Sequence, residues 1–167
     1  VRIVPLEKEI LLVDDSSTDG SGEILEKLNS DPDTLVLSHS ANRGKGVAIA
    51  TALEVVTGDV VVIQDADLEY DPQDYLNLIE PILQEGATVV YGVRDLSSQK
   101  FIMRLGNNLL SWIASLLFNV KLYDMETCYK MMTREVFETL SLECRRFDVE
   151  AEITAKILRA GFVIKEC

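Results

Sequence analysis

A chain of 167 residues, 47% apolar and 26% charged, is long enough to bury one substantial core and has the composition of an ordinary globular domain. Its net charge of −12 argues against nucleic acid as a partner, because phosphate backbones are bound by cationic surfaces, and against adhesion to anionic lipid by charge alone. Three widely spaced cysteines (Cys128, Cys144, Cys167) and one histidine (His39) offer neither a disulfide framework nor a structural zinc site, and they point to a reducing compartment.

Short β-rich runs alternate with helical stretches along the chain, the pattern of a largely parallel sheet covered by helices. Strands are expected at Glu9–Val13, Thr34–Ser38, Asp59–Gln64, Thr88–Tyr91, Cys128–Met132 and Phe162–Lys165. Gly22–Asn29 reads as a short helix, and Gly46–Val56 as an Ala-rich one stopped by Gly58. Asp71 is placed to cap a helix with Pro72 at its first position and Asp74 where a capping-box acid belongs. That helix is expected to place Leu76, Ile79 and Leu83 on one apolar face and to kink at Pro81. Phe101 to Phe118 is rich in large apolar residues, including Trp112, and is flanked by Lys100. A core helix and a helix lying in a membrane interface fit it equally well. No apolar run reaches the about 18 residues a spanning helix needs. Asp148 is expected to cap a last helix in which Val149, Ile153 and Ile157 repeat every four residues, closed by Gly161. No repeat or linker interrupts the chain, so residues 1–167 read as one domain, cut at both ends from something longer.

The most informative segment is Val60-Val61-Val62-Ile63-Gln64-Asp65-Ala66-Asp67, an apolar strand that runs directly into two carboxylates. Strand side chains alternate, so Asp65 and Asp67 lean to the same side. Paired acids at a strand's carboxyl end repel unless a cation lies between them, and hard ions such as Mg²⁺ or Mn²⁺ favour oxygen donors. Glu69 continues the spacing, either as a third ligand or as a solvated loop acid. A second strand ends in Asp14 and Asp15, followed by Ser16-Ser17-Thr18-Asp19-Gly20; these carboxylates suit a base N–H or a ribose hydroxyl.

Asn42-Arg43-Gly44-Lys45-Gly46 lets the backbone approach a ligand and puts Lys45 near a helix N-terminus, where an anion is favoured. It is not a Walker loop, because the first glycine and the metal-binding hydroxyl are missing. Arg94 ends another strand and Arg104 follows ten residues later; guanidinium forks match phosphate oxygens bidentately. Asp124-Met125-Glu126-Thr127-Cys128-Tyr129-Lys130 sets two acids and a lysine around a strand start, fitting either a reacting centre or a buried salt bridge. Glu150 and Glu152 fit structural contacts on the last helix, and His39 has no evident catalytic part.

Taken in order, VDDSSTDG at 13–20, NRGKG at 42–46, QDADLEYDP at 64–72, YGVR at 91–94 and DMETCYK at 124–130 resemble the inverting nucleotide-sugar glycosyltransferases of GT-A fold. RLGN at 104–107 and the final FDVEAEITAK…AGFVIKE resemble the polyprenyl-phosphate and dolichol-phosphate sugar transferases among them. The resemblance implies an α/β, Rossmann-like, mostly parallel sheet flanked by helices. It implies a nucleotide-sugar donor held by Asp14, Asp15, Lys45 and Asp65, and Mg²⁺ or Mn²⁺ on Asp65, Asp67 and Glu69. Asp65, Asp67 and Arg94 would carry the catalysis, and Arg94 and Arg104 would face a polyprenyl phosphate. With such an acceptor the enzyme is expected in the cytoplasm at the inner face of a membrane, which the interfacial reading of 101–118 would let it touch. One departure stands out: the family's opening strand, ending in Pro-x-Tyr-Asn-Glu, has no counterpart, and Val1–Lys8 resembles the tail of the helix after it together with that helix's loop.

Two alternatives keep this fold: a sugar hydroxyl as acceptor, which needs a base such as Glu126 or Asp124, or a donor-binding domain without turnover. A phosphatase of haloacid-dehalogenase type also carries Asp-x-Asp after a strand. There the pair lies on the first strand with Thr or Val commonly next, whereas here Leu68 follows and two strands precede.

Overall fold

The computed structural model describes residues 1–67, 70–93, 101–143 and 149–167, with the side chains of 101–109 outside the description. Leu68, Glu69, Arg94, the side chain of Arg104 and the Asp148 cap therefore lie outside the described residues. The chain forms two compact units, one built mainly from residues 5–59 and the other from residues 60–140 and 150–167 with Val1–Val4.

In the first unit, β1 (Ile10–Asp14) and β2 (Thr34–Ser38) pair in parallel, with Ile10 opposite Thr34 and Asp14 opposite Ser38. Parallel neighbours need a crossover, which α1 (Ser21–Leu28) supplies by packing on both strands. α2 (Lys45–Leu53) packs on β1. This helix ends before Gly58, whose N–H, with that of Thr57, donates to the Glu9 carboxylate at 2.8 and 2.6 Å. Of the helix tail and loop expected over Val1–Lys8, the structure has a turn at Val1–Val4, closed by the Val4 N–H to the Val1 carbonyl at 3.1 Å, followed by loop and no regular helix.

The second unit holds a four-stranded sheet in the order β3 (Val60–Val62), β5 (Lys130–Thr133), β4 (Val89–Tyr91), β6 (Ile164–Glu166). β4 and β6 run parallel, while β5 is antiparallel to both β3 and β4. The α/β class is as expected, with this inverted strand at its centre. Val89, Val90, Tyr91 and Met132 are fully buried, the environment of an inner strand covered on both faces.

α3 (Tyr75–Glu85) follows a 3-10 turn at Pro72–Asp74 whose first N–H groups are served by Asp71, its carboxylate accepting from Gln73 at 2.9 Å. The helix continues through Pro81 and buries Tyr75, Leu78 and Pro81, while Leu76 and Leu83 are exposed. This corrects the expected face by about one residue. α4 (Phe101–Phe118) has the expected limits. Its Ala114 packs with Leu122 and Met125 in a small core that also gathers Val120, Ala151, Leu158 and Ile164.

α5 (Arg134–Thr139) follows β5, and α6 (Val149–Arg159) buries Val149, Ile153 and Ile157 as their spacing requires. Burying each such isoleucine is worth about 1.5–3 kcal/mol. Gly161, at φ 84°, terminates α6: its N–H reaches the Leu158 carbonyl and the Phe162 N–H reaches that of Ile157. A left-handed residue closing two bonds in this way favours glycine, because a Cβ there is strained.

Candidate active site

In the first unit the chemistry gathers where β1 ends. Asp14 is buried, and its Oδ1 accepts from the Ser17 N–H at 3.0 Å across a turn in which Ser16 adopts φ 65°. Gly22 lies close beside it: a Cβ there would meet Asp14 Oδ2 at 3.2 Å, a tight contact. Asp15 faces the NRGKG segment and accepts from the Arg43 N–H at 2.8 Å and the Gly44 N–H at 2.6 Å. Its Oδ1 also accepts from His39 Nδ1 at 2.7 Å, and the other ring nitrogen lies 2.9 Å from the Thr51 hydroxyl. An ionised carboxylate only accepts, so this geometry puts a proton on Nδ1.

Burial pushes the Asp15 carboxyl up, but bonds from His39, Arg43 and Gly44 outweigh it and hold the group below the usual aspartate range. His39 thus braces the acid that fastens the glycine loop. Gly44, at φ 92° and ψ 161°, precedes the first turn of α2, and Lys45 begins that helix, half-buried. Asp19 accepts from the Ser21 N–H at 3.1 Å at the start of α1.

In the second unit the end of β3 is prolonged by the Ile63 N–H to the Lys130 carbonyl at 3.3 Å. Asp65 is half-buried and Asp67 exposed. The Gln64 side chain donates to the Asp65 carbonyl at 2.8 Å and accepts from the Tyr75 hydroxyl at 2.8 Å, so α3 steadies the backbone between the strand and the acids. Burial pushes the Tyr75 phenol up to about 12, with the Cys128 thiol adding to it, which keeps the hydroxyl a donor at neutral pH.

The segment after the acids is tied to the segment before β5. Tyr70 lies on Tyr129, ring centroids 4.4 Å apart, and its hydroxyl accepts from the Cys128 N–H at 2.9 Å. The DMETCYK stretch is held at further points. Glu166 on β6 accepts from the N–H groups of Tyr123 and Asp124 at 2.9 and 3.0 Å. Ser111 on α4 accepts from the Met125 N–H at 3.0 Å. Asp124 is fully buried, whereas Glu126 is half-buried. Glu150 is buried near the start of α6, and Glu152 pairs with Lys156 at 2.8 Å.

Among the described residues, no three His, Cys, Asp or Glu side chains gather as a ready-made ion cage. Asp65 and Asp67 supply hard oxygen donors, and Mg²⁺-type ions are commonly held by one or two carboxylates with substrate phosphates and water completing the shell. The donor chemistry fits such an ion. Sequence reasoning missed the bracing roles of Gln64, Tyr70, Ser111 and Glu166, which depend on contacts between segments far apart in the chain.

An α/β fold with acids at strand ends and a glycine loop opening a helix agrees with the resemblance to the GT-A glycosyltransferases drawn from the sequence. The chain belongs to glycosyl transferase family 2, whose sequence profile matches residues 4–141. Over 156 residues it is 30% identical to an undecaprenyl-phosphate 4-deoxy-4-formamido-L-arabinose transferase of Shewanella sediminis, a match covering 92% of this chain and 45% of that protein. It superimposes with a TM-score of 0.70 and 20% identity on glucosyl-3-phosphoglycerate synthase from Mycobacterium tuberculosis in complex with Mn²⁺, UDP-glucose and phosphoglyceric acid, covering 93% of this chain and 56% of that one.

A mannosyltransferase from Pyrobaculum calidifontis in complex with GDP-mannose and Mn²⁺ superimposes with a TM-score of 0.65 and 24% identity, over 95% of this chain and 45% of that one. These likenesses establish the GT-A fold. The chain thus spans about half the length of these relatives. The expected family and fold are both borne out.

Proposed function

We propose that residues 1–167 form one glycosyltransferase domain that moves a sugar, with inversion, from a nucleoside-diphosphate donor to polyprenyl phosphate. The observation that carries this reading is the junction of QDADLEY with DMETCYK through Tyr70 and Cys128, which joins the acidic strand end to a second polar segment. The names of relatives such as the undecaprenyl-phosphate transferase support the acceptor class.

In this reading Asp14 meets the nucleoside, and Asp15 contributes to the same end while fastening the loop that presents Lys45 to an anionic group. Asp65 and Asp67, with Glu69, hold Mg²⁺ or Mn²⁺, which offsets the charge released with the departing diphosphate. Arg94 and Arg104 orient the acceptor phosphate. A phosphate monoester, with a second pKa of about 6, is already anionic at neutral pH and needs positioning more than a base.

The acceptor is lipid, and α4 offers a surface for it. Leu110, Trp112, Ile113, Leu116 and Leu117 are all exposed. These exposed apolar side chains support reading α4 as a helix that lies on the cytoplasmic face of a membrane; among the described residues no helix is long and apolar enough to cross one.

Labelled UDP-glucose and GDP-mannose, offered with Mn²⁺ against polyprenyl phosphate and against free oligosaccharides, test the reading. Label in polyprenyl phosphate, lost in Asp67→Ala, is expected. Label only in oligosaccharide favours the hydroxyl-acceptor alternative, for which half-buried Glu126 is a better base than fully buried Asp124.

A further inference from the structure

Lys130 opens β5 and is 1% exposed. Its ammonium donates to the Met125 carbonyl at 3.0 Å and to the Thr127 carbonyl, and it sits 4.8 Å from the centroid of the buried Tyr91 ring. Tyr91 is fixed in turn by its hydroxyl, 3.0 Å from that of Thr154, which donates to the Glu150 carbonyl at 2.9 Å. Burial pulls the lysine down to about 8, while Glu150 of α6, the Cys128 thiol, Glu126 and Asp124 push the other way.

A charge in this position is costly. Met131 and Met132 follow directly in the same strand, and a buried ion replaced by an apolar side chain of similar volume is often neutral or stabilising. What the ammonium does instead is shape a turn. The N–H groups of 123–125 and 128 are taken by Glu166, Ser111 and Tyr70, and Lys130 takes the carbonyls of 125 and 127 from the other side.

We infer that Lys130 is a positioning residue: it clamps the 124–128 turn, which Cys128 ties to Tyr70 beyond the acidic strand end, and so sets that segment for the acceptor without itself touching substrate. The acceptor half of this inference rests on the sugar-transfer reading above; the clamp does not.

Lys130→Met, in the full chain, tests both halves. Donor affinity, read by calorimetry with UDP or GDP and Mn²⁺, stays within about twofold, since the clamped turn serves the acceptor. The KM for polyprenyl phosphate rises about tenfold or more, the scale set by losing one or two charge-assisted hydrogen bonds. Amide exchange at Met125 and Cys128 speeds up by a similar factor while that of β4 is unchanged. An unaltered KM and unaltered exchange in the folded variant overturn the inference, as does a parallel loss of donor affinity. If the unsubstituted protein transfers only to an oligosaccharide, the acceptor reading fails, and the same comparison is made with that acceptor.

Should Lys130→Met not fold, the unsubstituted protein carries the test. Protection factors of the 124–128 amides, corrected for intrinsic exchange, are expected to fall between pH 7 and 9 as the ammonium deprotonates among Glu150, Tyr91, Cys128, Glu126 and Asp124. Flat protection across that range overturns the clamp.

Discussion

The Tyr70 hydroxyl accepts a 2.9 Å hydrogen bond from the backbone N–H of Cys128, 58 residues further along the chain. Cys128 is 4% exposed, so its N–H has little access to water as a substitute partner. Tyr70→Phe keeps the ring on Tyr129 but strands that donor, which costs about 1–3 kcal/mol. The urea midpoint should drop accordingly. Because the bond also fixes Tyr70, three residues after Asp67, turnover should fall roughly tenfold, as expected when positioned groups shift slightly. A variant with full activity and unchanged stability would show that the two segments are held by other contacts.

Asp15 gives a prediction with a definite sign in pH. Its folded pKa lies below the unfolded value of about 3.9, so its stabilisation is complete above that value and is lost as pH falls through the folded pKa. Asp15→Asn removes the charge and turns an amide N–H₂ toward donors on Gly44 or Arg43. A loss of about 1–3 kcal/mol is expected at pH 7. The gap between the two proteins should begin to narrow below about pH 4 and close only as pH falls through the lower folded pKa, where the native carboxyl too is neutral. Urea unfolding at pH 7, 5 and 3 measures it, and a gap that widens in acid contradicts the network.

What could be read in advance follows from range. Strand ends announce themselves locally, because Val and Ile runs cannot continue into paired acids, and α6 was legible from a four-residue apolar period. The face of α3 was not. Tyr75, Leu76, Leu78, Ile79, Pro81, Ile82 and Leu83 fill two adjacent stripes, and only packing on β4 and β5 selects the one containing Leu78. The His39 contact had a usable signal. Once β1 and β2 are taken as parallel neighbours in register, Asp14 falls opposite Ser38, and the next pair along is Asp15 and His39. Tyr70 and Lys130 had none, since their partners are backbone groups brought near by β5 running opposite to its neighbours.

The exposed side of α4 leads to the last prediction. Trp112, Leu116 and Leu117 are 61%, 68% and 73% exposed, while Ala114 between them faces the small core. Apolar side chains left in water on this scale cost about 25 cal/mol per Å², which insertion into a lipid interface recovers. With a net charge of −12, electrostatic attraction to anionic headgroups offers no general substitute. Leu116→Glu with Leu117→Glu should therefore leave folding intact and reduce co-sedimentation with neutral phosphatidylcholine vesicles at least about tenfold, a loss of about 1.4 kcal/mol. Turnover should fall with a long-chain polyprenyl phosphate presented in vesicles but hold with a short-chain, water-soluble one. Equal loss with both acceptors would mean that α4 serves the reaction directly and that its apolar side is not a lipid contact.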